Sequence, residues 1–240
     1  AHPDDENNKL LTYFAQEQLV DAAYLSLTRG EGGQNFIGTE KESELGILRV
    51  QECLSAREVE GTRQFFTRAK DFGFVESVDE TLYLWDKQAV LADMVWTIRY
   101  FRPNIIITRF SPNIADLHGH HQSSAILTEV AYDLAADPLA YPEQLEELSV
   151  WKAQRLLWNV YQESGVKDIG GRVTPLPEHF SLDIPVYNRY SGLHYGKIAA
   201  ESRNNHRSQA MASLIQYTPS VEYFELLKGE PIDTTVTNSL

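Results

Sequence analysis

QAVLADMVWTIRYFRPNIIIT, residues 88–108, decides how this chain folds. From Gln88 to Phe101 the apolar residues recur at helical spacing, and Pro103 stops the pattern just beyond Arg102. Asn104 to Thr108 is then a short β-branched run, the kind a parallel sheet buries on both faces. A helix feeding a buried strand is half of a βαβ unit. Outward from this stretch, helices are expected over 8–19 and 42–60, with strands over 20–28 and 65–74. After about Asp137 the pattern loosens to strands at 156–160 and 180–184 and a last helix over 192–209. Alternation of this kind predicts a three-layer α/β fold with a Rossmann-like, mostly parallel sheet. No repeat, low-complexity tract or linker interrupts it, so residues 1–240 are expected to form a single domain.

Composition narrows the function. With 42% apolar and 23% charged residues the chain is an ordinary folded, soluble protein, and nothing in it assigns a compartment. No apolar run approaches the ~20 residues that span a bilayer. Thirty-four acidic against 21 basic side chains give a net charge of −13, which argues against nucleic acid or an anionic membrane as partner. A neutral or cationic small substrate suits that balance better. The single cysteine, Cys53, excludes an internal disulfide and a cysteine-rich zinc site.

In open α/β sheets ligands bind outside the carboxyl ends of the strands. The loop after Thr28 and the segment after Thr108 belong there, as does the opening Ala1-His2-Pro3-Asp4-Asp5-Glu6 if a strand precedes it. That strand is absent from the sequence. A gap in the sheet and a longer parent protein are therefore expected. His2 and Asp5, three residues apart, suit one metal ion, while Asp4 between them suits a base beside it. The same carboxylates also suit the N-terminus of a helix, where they cap amides. His118, His120 and His121, at the start of an apolar-periodic helix, supply the distant partner that a metal site needs. Two such clusters at expected strand ends point to a zinc hydrolase. Iron(II) and cobalt take the same donors. There is no GxxxxGK[ST] or GxGxxG signature, so Gly30, Gly32 and Gly33 read as a tight turn rather than a phosphate cradle.

The opening AHPDDE, the loop Thr28-Arg29-Gly30-Glu31-Gly32-Gly33, Arg49 with Glu52, the HxxH of His118 to His121 and the late His206-Arg207-Ser208-Gln209 together resemble the LmbE/PIG-L family. The resemblance runs over roughly residues 1–210. Known members are largely zinc-dependent de-N-acetylases of N-acetylglucosamine derivatives. The resemblance implies that His2, Asp5 and His121 bind Zn²⁺ and that Asp4 is the general base. It makes His118 the acid or oxyanion-stabilising group, and puts Arg49 and Asp86 against the substrate. That substrate is expected to be a small acetylated amino sugar or glycoconjugate. The alternatives are a non-catalytic carbohydrate-binding domain and a zinc hydrolase acting on a different amide or ester. The chain departs from the family at the second motif, usually H-P-D-H, where Gly119 and His120 replace the proline and the aspartate.

Overall fold

The computed structural model describes residues 1–113, 118–160, 179–211, 215 and 217–232. In chain order the elements are α1 (Asn8–Gln16), β1 (Ala23–Ser26), α2 (Glu42–Glu60), β2 (Arg63–Phe66), α3 (Val78–Leu84) and α4 (Lys87–Phe101). There follow β3 (Ile105–Thr108), α5 (Gly119–Ala136), β4 (Arg155–Asn159), β5 (Phe180–Ile184), α6 (Tyr195–Arg203) and β6 (Ser220–Gly229). The fold is α/β, as the alternating pattern predicts, and its contacts fall into two compact units. One comprises Ala1–Phe74 with Asp183–Val221, the other Val75–Leu182 with Glu222–Leu240.

In the first unit β1 and β2 pair in parallel, Ala23 opposite Arg63 and Ser26 opposite Phe66. The connection between them is α2, which Gly61 ends in the left-handed conformation at φ 77°, its amide donating to the Arg57 carbonyl. α2 buries Leu45, Arg49, Glu52, Cys53, Ala56, Arg57 and Glu60. That is one helical face, but half of it is charged, and each of those charges has a buried partner described below. α6 packs against both α1 and α2.

In the second unit β3 and β4 pair in parallel, Ile105 opposite Arg155, and β6 runs antiparallel to β4. The sheet order is β3-β4-β6-β5. Leu156 and Leu157 are fully buried at its centre. α4 and α5 pack on each other, burying Val90, Leu91, Met94, Val95 and Ile98 of the first and Leu127, Ala131, Tyr132 and Ala135 of the second.

Two sequence expectations shift. The strand expected over 65–74 ends at Phe66, because Thr67 turns its hydroxyl to the Leu27 carbonyl and Asp71 accepts from the Gly73 amide to close a turn. The helix expected over 192–209 starts at Tyr195 and stops at Arg203. Asn205 bonds back to the Glu201 and Ser202 carbonyls, and the chain re-forms only a short 3-10 turn at Arg207–Gln209. α3 and β6 had no counterpart in the sequence reading. Ser77 caps α3 by accepting from the Glu80 amide, an S-x-x-E signature legible in the sequence.

Candidate functional site

The opening hexapeptide is fixed from its backbone outward. The Ala1 carbonyl accepts from the Thr28 amide at 3.0 Å and from the Thr28 hydroxyl at 3.2 Å, tying the segment to the end of β1. Tyr24 donates its hydroxyl to the His2 carbonyl, and the Cys53 thiol donates to the Pro3 carbonyl. Burial pushes both the Tyr24 phenol and the Cys53 thiol well above their ordinary ranges, so they act as neutral donors. Cys53 is fully buried and is not a nucleophile.

On this frame the three carboxylates diverge. Asp5 turns back on His2: its Oδ2 lies 3.1 Å from His2 Nδ1 and accepts from the His2 amide at 2.6 Å. Two ligand atoms on one tetrahedral zinc, with bonds of about 2.0–2.2 Å, stand roughly 3.3–3.5 Å apart. The His2–Asp5 pair is already close to that spacing, so these donors fit the metal they were expected to hold. Asp4 points to α2, where Arg49 Nη2 donates to its Oδ1 at 2.6 Å. Arg49 is only 3% exposed, and its Nη1 donates to the Gly30 carbonyl at 2.9 Å. The glycines of the 29–33 loop make room for this guanidinium. A Cβ on Gly30 would stand 2.2 Å from Arg49 Nη1, and one on Gly33 would stand 2.6 Å from it. Gly30 also has φ +72°, which a side chain resists.

Glu6 turns inward to a buried cluster. Its Oε1 accepts from Arg57 at 2.8 Å and Asn8 at 3.0 Å, and lies 2.7 Å from His206 Nε2. Arg57 also pairs with Glu60 at 2.8 Å, and Glu60 accepts from Asn8 and Ser202. Nearby, Glu52 accepts from both the amide and the hydroxyl of Ser208 at 2.7 Å. These contacts join the hexapeptide, α2, α6 and the 206–208 turn. Burial raises the Glu6 carboxyl, but the His206 bond and the Arg57 charge outweigh it and hold the group at about 2. Sequence reading missed this cluster. Its only sequence signal is the late His206-Arg207-Ser208-Gln209 segment, which shares no local pattern with the residues it meets.

In the second unit the histidines stand where α5 begins. His118 is the N-cap, and its Nδ1 accepts from the His120 amide at 3.3 Å. That bond leaves the proton of the neutral ring on Nε2. His121 stacks face to face on Phe110, with ring centroids 3.9 Å apart and 6° between planes. His120 is fully buried, its ring 4.9 Å from that of Trp85, which is 3% exposed. The three imidazoles are close, His118 lying 4.7 Å from His120 and 4.8 Å from His121 between centroids. The Gly119 amide donates to the Val75 carbonyl at 2.6 Å. A proline there has no N–H to give, so this contact excludes the family's usual residue. Asp86 is exposed and caps α4, accepting from the Ala89 amide at 3.4 Å.

Among known proteins the chain is 30% identical to a mycothiol S-conjugate amidase of Streptomyces coelicolor, over 60% of this chain and 53% of that protein. It thus spans about half the length of that relative. It is 27% identical to a 1D-myo-inositol 2-acetamido-2-deoxy-alpha-D-glucopyranoside deacetylase of Rhodococcus jostii, over 77% of this chain and 68% of that protein. Among solved structures, N,N'-diacetylchitobiose deacetylase from Pyrococcus horikoshii superposes with a TM-score of 0.61 at 14% identity, covering 87% of this chain and 67% of the other. GalB, the 4-carboxy-2-hydroxymuconate hydratase of Pseudomonas putida KT2440, superposes with a TM-score of 0.58 at 14% identity, covering 97% and 95%. At those identities the likeness is one of fold, and a fold that serves both a deacetylase and a hydratase does not choose the reaction. The sequence model of the PIG-L family, described as GlcNAc-PI de-N-acetylase, matches residues 1–132. With more than half its length matched by that model, the chain belongs to the PIG-L family.

Proposed function

We propose that the chain is a zinc-dependent N-deacetylase that releases acetate from an N-acetylated amino sugar or glycoconjugate. Membership of a de-N-acetylase family supports the reaction type. The observation that carries the reading is the divergence of the hexapeptide. His2 Nδ1 and Asp5 Oδ2 lie 3.1 Å apart, close to the spacing of two zinc ligands, while Asp4, between them, is turned away and held by Arg49.

In this reading His2, Asp5 and His121 hold the metal. When bound, zinc supplies Lewis acidity and lowers the pKa of a water towards ~7. Arg49 holds Oδ1 of Asp4, so Oδ2 takes the proton as water attacks the acetamide carbon. Arg49 thus acts through Asp4 rather than on the sugar, whereas Asp86 is the substrate contact. His118, with its proton on Nε2, donates to the carbonyl oxygen as that atom gains charge. The C–N bond then breaks, the amine takes the proton back from Asp4, and acetate leaves.

The test is metal content and acetate release together. Purified without chelator, the chain should hold about one zinc and an Asp5→Ala, His121→Ala double variant none, by mass spectrometry. The zinc-loaded chain should release acetate from N-acetylglucosamine glycosides. No zinc uptake even after adding the metal would leave a carbohydrate-binding domain. The 30% identity to an amidase favours a second reading, hydrolysis of a different amide. Turnover of simple amides in preference to acetylated sugars would select it.

A further inference from the structure

His2 and Asp5 are the two ends of one turn. The Asp5 amide donates to the His2 carbonyl at 3.4 Å, closing His2-Pro3-Asp4-Asp5 with the proline in second place. Proline suits that place because its ring presets φ at about −65°. The turn puts one expected zinc ligand at its first residue and another at its last.

The stance of the His2 ring depends on the two peptide units that flank its Cα. The unit before it is held on both edges. The Ala1 carbonyl accepts from the Thr28 amide and hydroxyl at 3.0 and 3.2 Å, and the His2 amide donates to Asp5 Oδ2 at 2.6 Å. The unit after it offers one edge only, since Pro3 has no N–H. Any hydrogen bond that fixes this unit must therefore end on the His2 carbonyl. Two donors reach it: the Asp5 amide that closes the turn, and the Tyr24 hydroxyl, the closer of the two. Tyr24 is the one that ties the turn to something outside itself.

Tyr24 is fixed in turn. On β1 it stands opposite Gln64 of β2. The Arg57 guanidinium lies over its ring, 5.3 Å from the centroid, and Glu6 and Glu60 each hold Arg57 at 2.8 Å. The phenol thus carries the position of the β1–β2 pair and of the buried ion-pair cluster to the backbone of an expected metal ligand.

We propose that Tyr24 is a positioning residue for the metal site: its hydroxyl locks the peptide unit after His2 and so aims the imidazole at the point that Asp5 also reaches. Tyr24 acts through His2 alone. The proposal rests on the zinc reading of the hexapeptide and adds to it a residue that lies outside the sequence motifs. Removing a group that orients a metal's ligands typically costs about 10–100-fold in metal affinity.

Tyr24→Phe tests it, because it removes one oxygen and keeps the ring beneath Arg57. In competition with a chelator, the zinc Kd of the variant is expected to rise about tenfold or more over the parent's. With Co²⁺ in place of zinc, the visible absorption bands of variant and parent should differ, since those bands report ligand geometry. Tyr195→Phe is the comparison. That hydroxyl donates to Glu17 at 2.8 Å, beyond the end of α1 remote from the hexapeptide. Its loss removes one hydrogen bond as well, yet the zinc Kd should stay within about twofold of the parent's and the Co²⁺ bands should not move. A parent that binds zinc and a Tyr24→Phe variant that binds it equally well overturn this proposal and leave the zinc reading standing. An equal loss of affinity in both variants also overturns it, as does a weakened Kd with unaltered Co²⁺ bands, because either result makes the effect one of stability. A parent that takes up no zinc fails the zinc reading itself, and the proposal with it.

Discussion

Arg49 reaches Asp4 from a side chain that is 4% exposed, placing Nη2 at 2.6 Å from Oδ1, while its other terminal nitrogen is fixed by the Gly30 carbonyl. A carboxylate held by one oxygen presents the other in a set direction, and such alignment governs rate more than affinity. Arg49→Lys keeps the charge but loses the fork. It is expected to lower kcat by about 100-fold with KM moved less than about threefold. Steady-state kinetics at equal zinc loading decide it. A rise in KM at constant kcat would make Arg49 a substrate contact instead.

Gly119 offers a second probe, on the histidine side. A Cβ there would meet the Ser77 carbonyl at 2.5 Å and Thr81 Oγ1 at 2.7 Å, so α5 cannot keep its seat on α3. Gly119→Ala should cost about 1–3 kcal/mol in chemical denaturation, as overpacking does. It should also weaken zinc binding, because His118, His120 and His121 move with the start of the helix. Retained stability with unchanged zinc affinity would show that the first turn of α5 has slack.

The helix over 42–60 and the strand over 105–108 were legible because each is a local pattern, a 3.6-residue period and a β-branched run. The candidate metal ligands were legible as residue types at short spacing. What joins the hexapeptide to the rest was not. Glu6 meets Arg57 across 51 positions and His206 across 200, and no window of sequence holds both ends of such a contact. α2 compounds the difficulty, because Arg49, Glu52, Arg57 and Glu60 carry charge and are nonetheless all buried. The contacts of Arg49 were hidden for the same reason. Its partners are a carboxylate 45 positions away and a carbonyl 19 away.

That buried cluster sets a pH dependence. Glu6 ionises at about 2 in the folded chain against an ordinary value of 4.5, through His206 and Arg57 acting against burial. A carboxyl lowered by folding adds stability that is complete above the unfolded value and is lost as pH falls towards the folded one. The window is therefore pH 4.5 down to about 2. Burial pushes Glu60, on the same Arg57, the opposite way, so it offsets part of the slope near 4.5. Glu6→Gln is expected to lose about 3 kcal/mol at neutral pH. Urea midpoints of parent and variant, recorded at steps from pH 6 to 3, should converge as the pH drops. Parallel curves would mean that Glu6 does not titrate with folding.

Arg99 secures the opposite end of α5. It is 1% exposed and donates to the carbonyls of Leu134, Ala135, Asp137, Ala140 and Tyr141 and to the Gln144 side chain. These include C-terminal carbonyls of α5 that lack a partner within the helix. Arg99→Met keeps much of the volume and removes every donor. Losing the whole set of charge-assisted hydrogen bonds should cost about 3 kcal/mol or more in urea denaturation. The effect should stay local to stability, because α5 runs 18 residues from Gly119 to Ala136, roughly 27 Å at a helical rise of 1.5 Å per residue. Zinc content per folded chain should therefore match the parent. A loss of metal in a variant that still melts cooperatively would mean that the far end of α5 governs where its histidines sit.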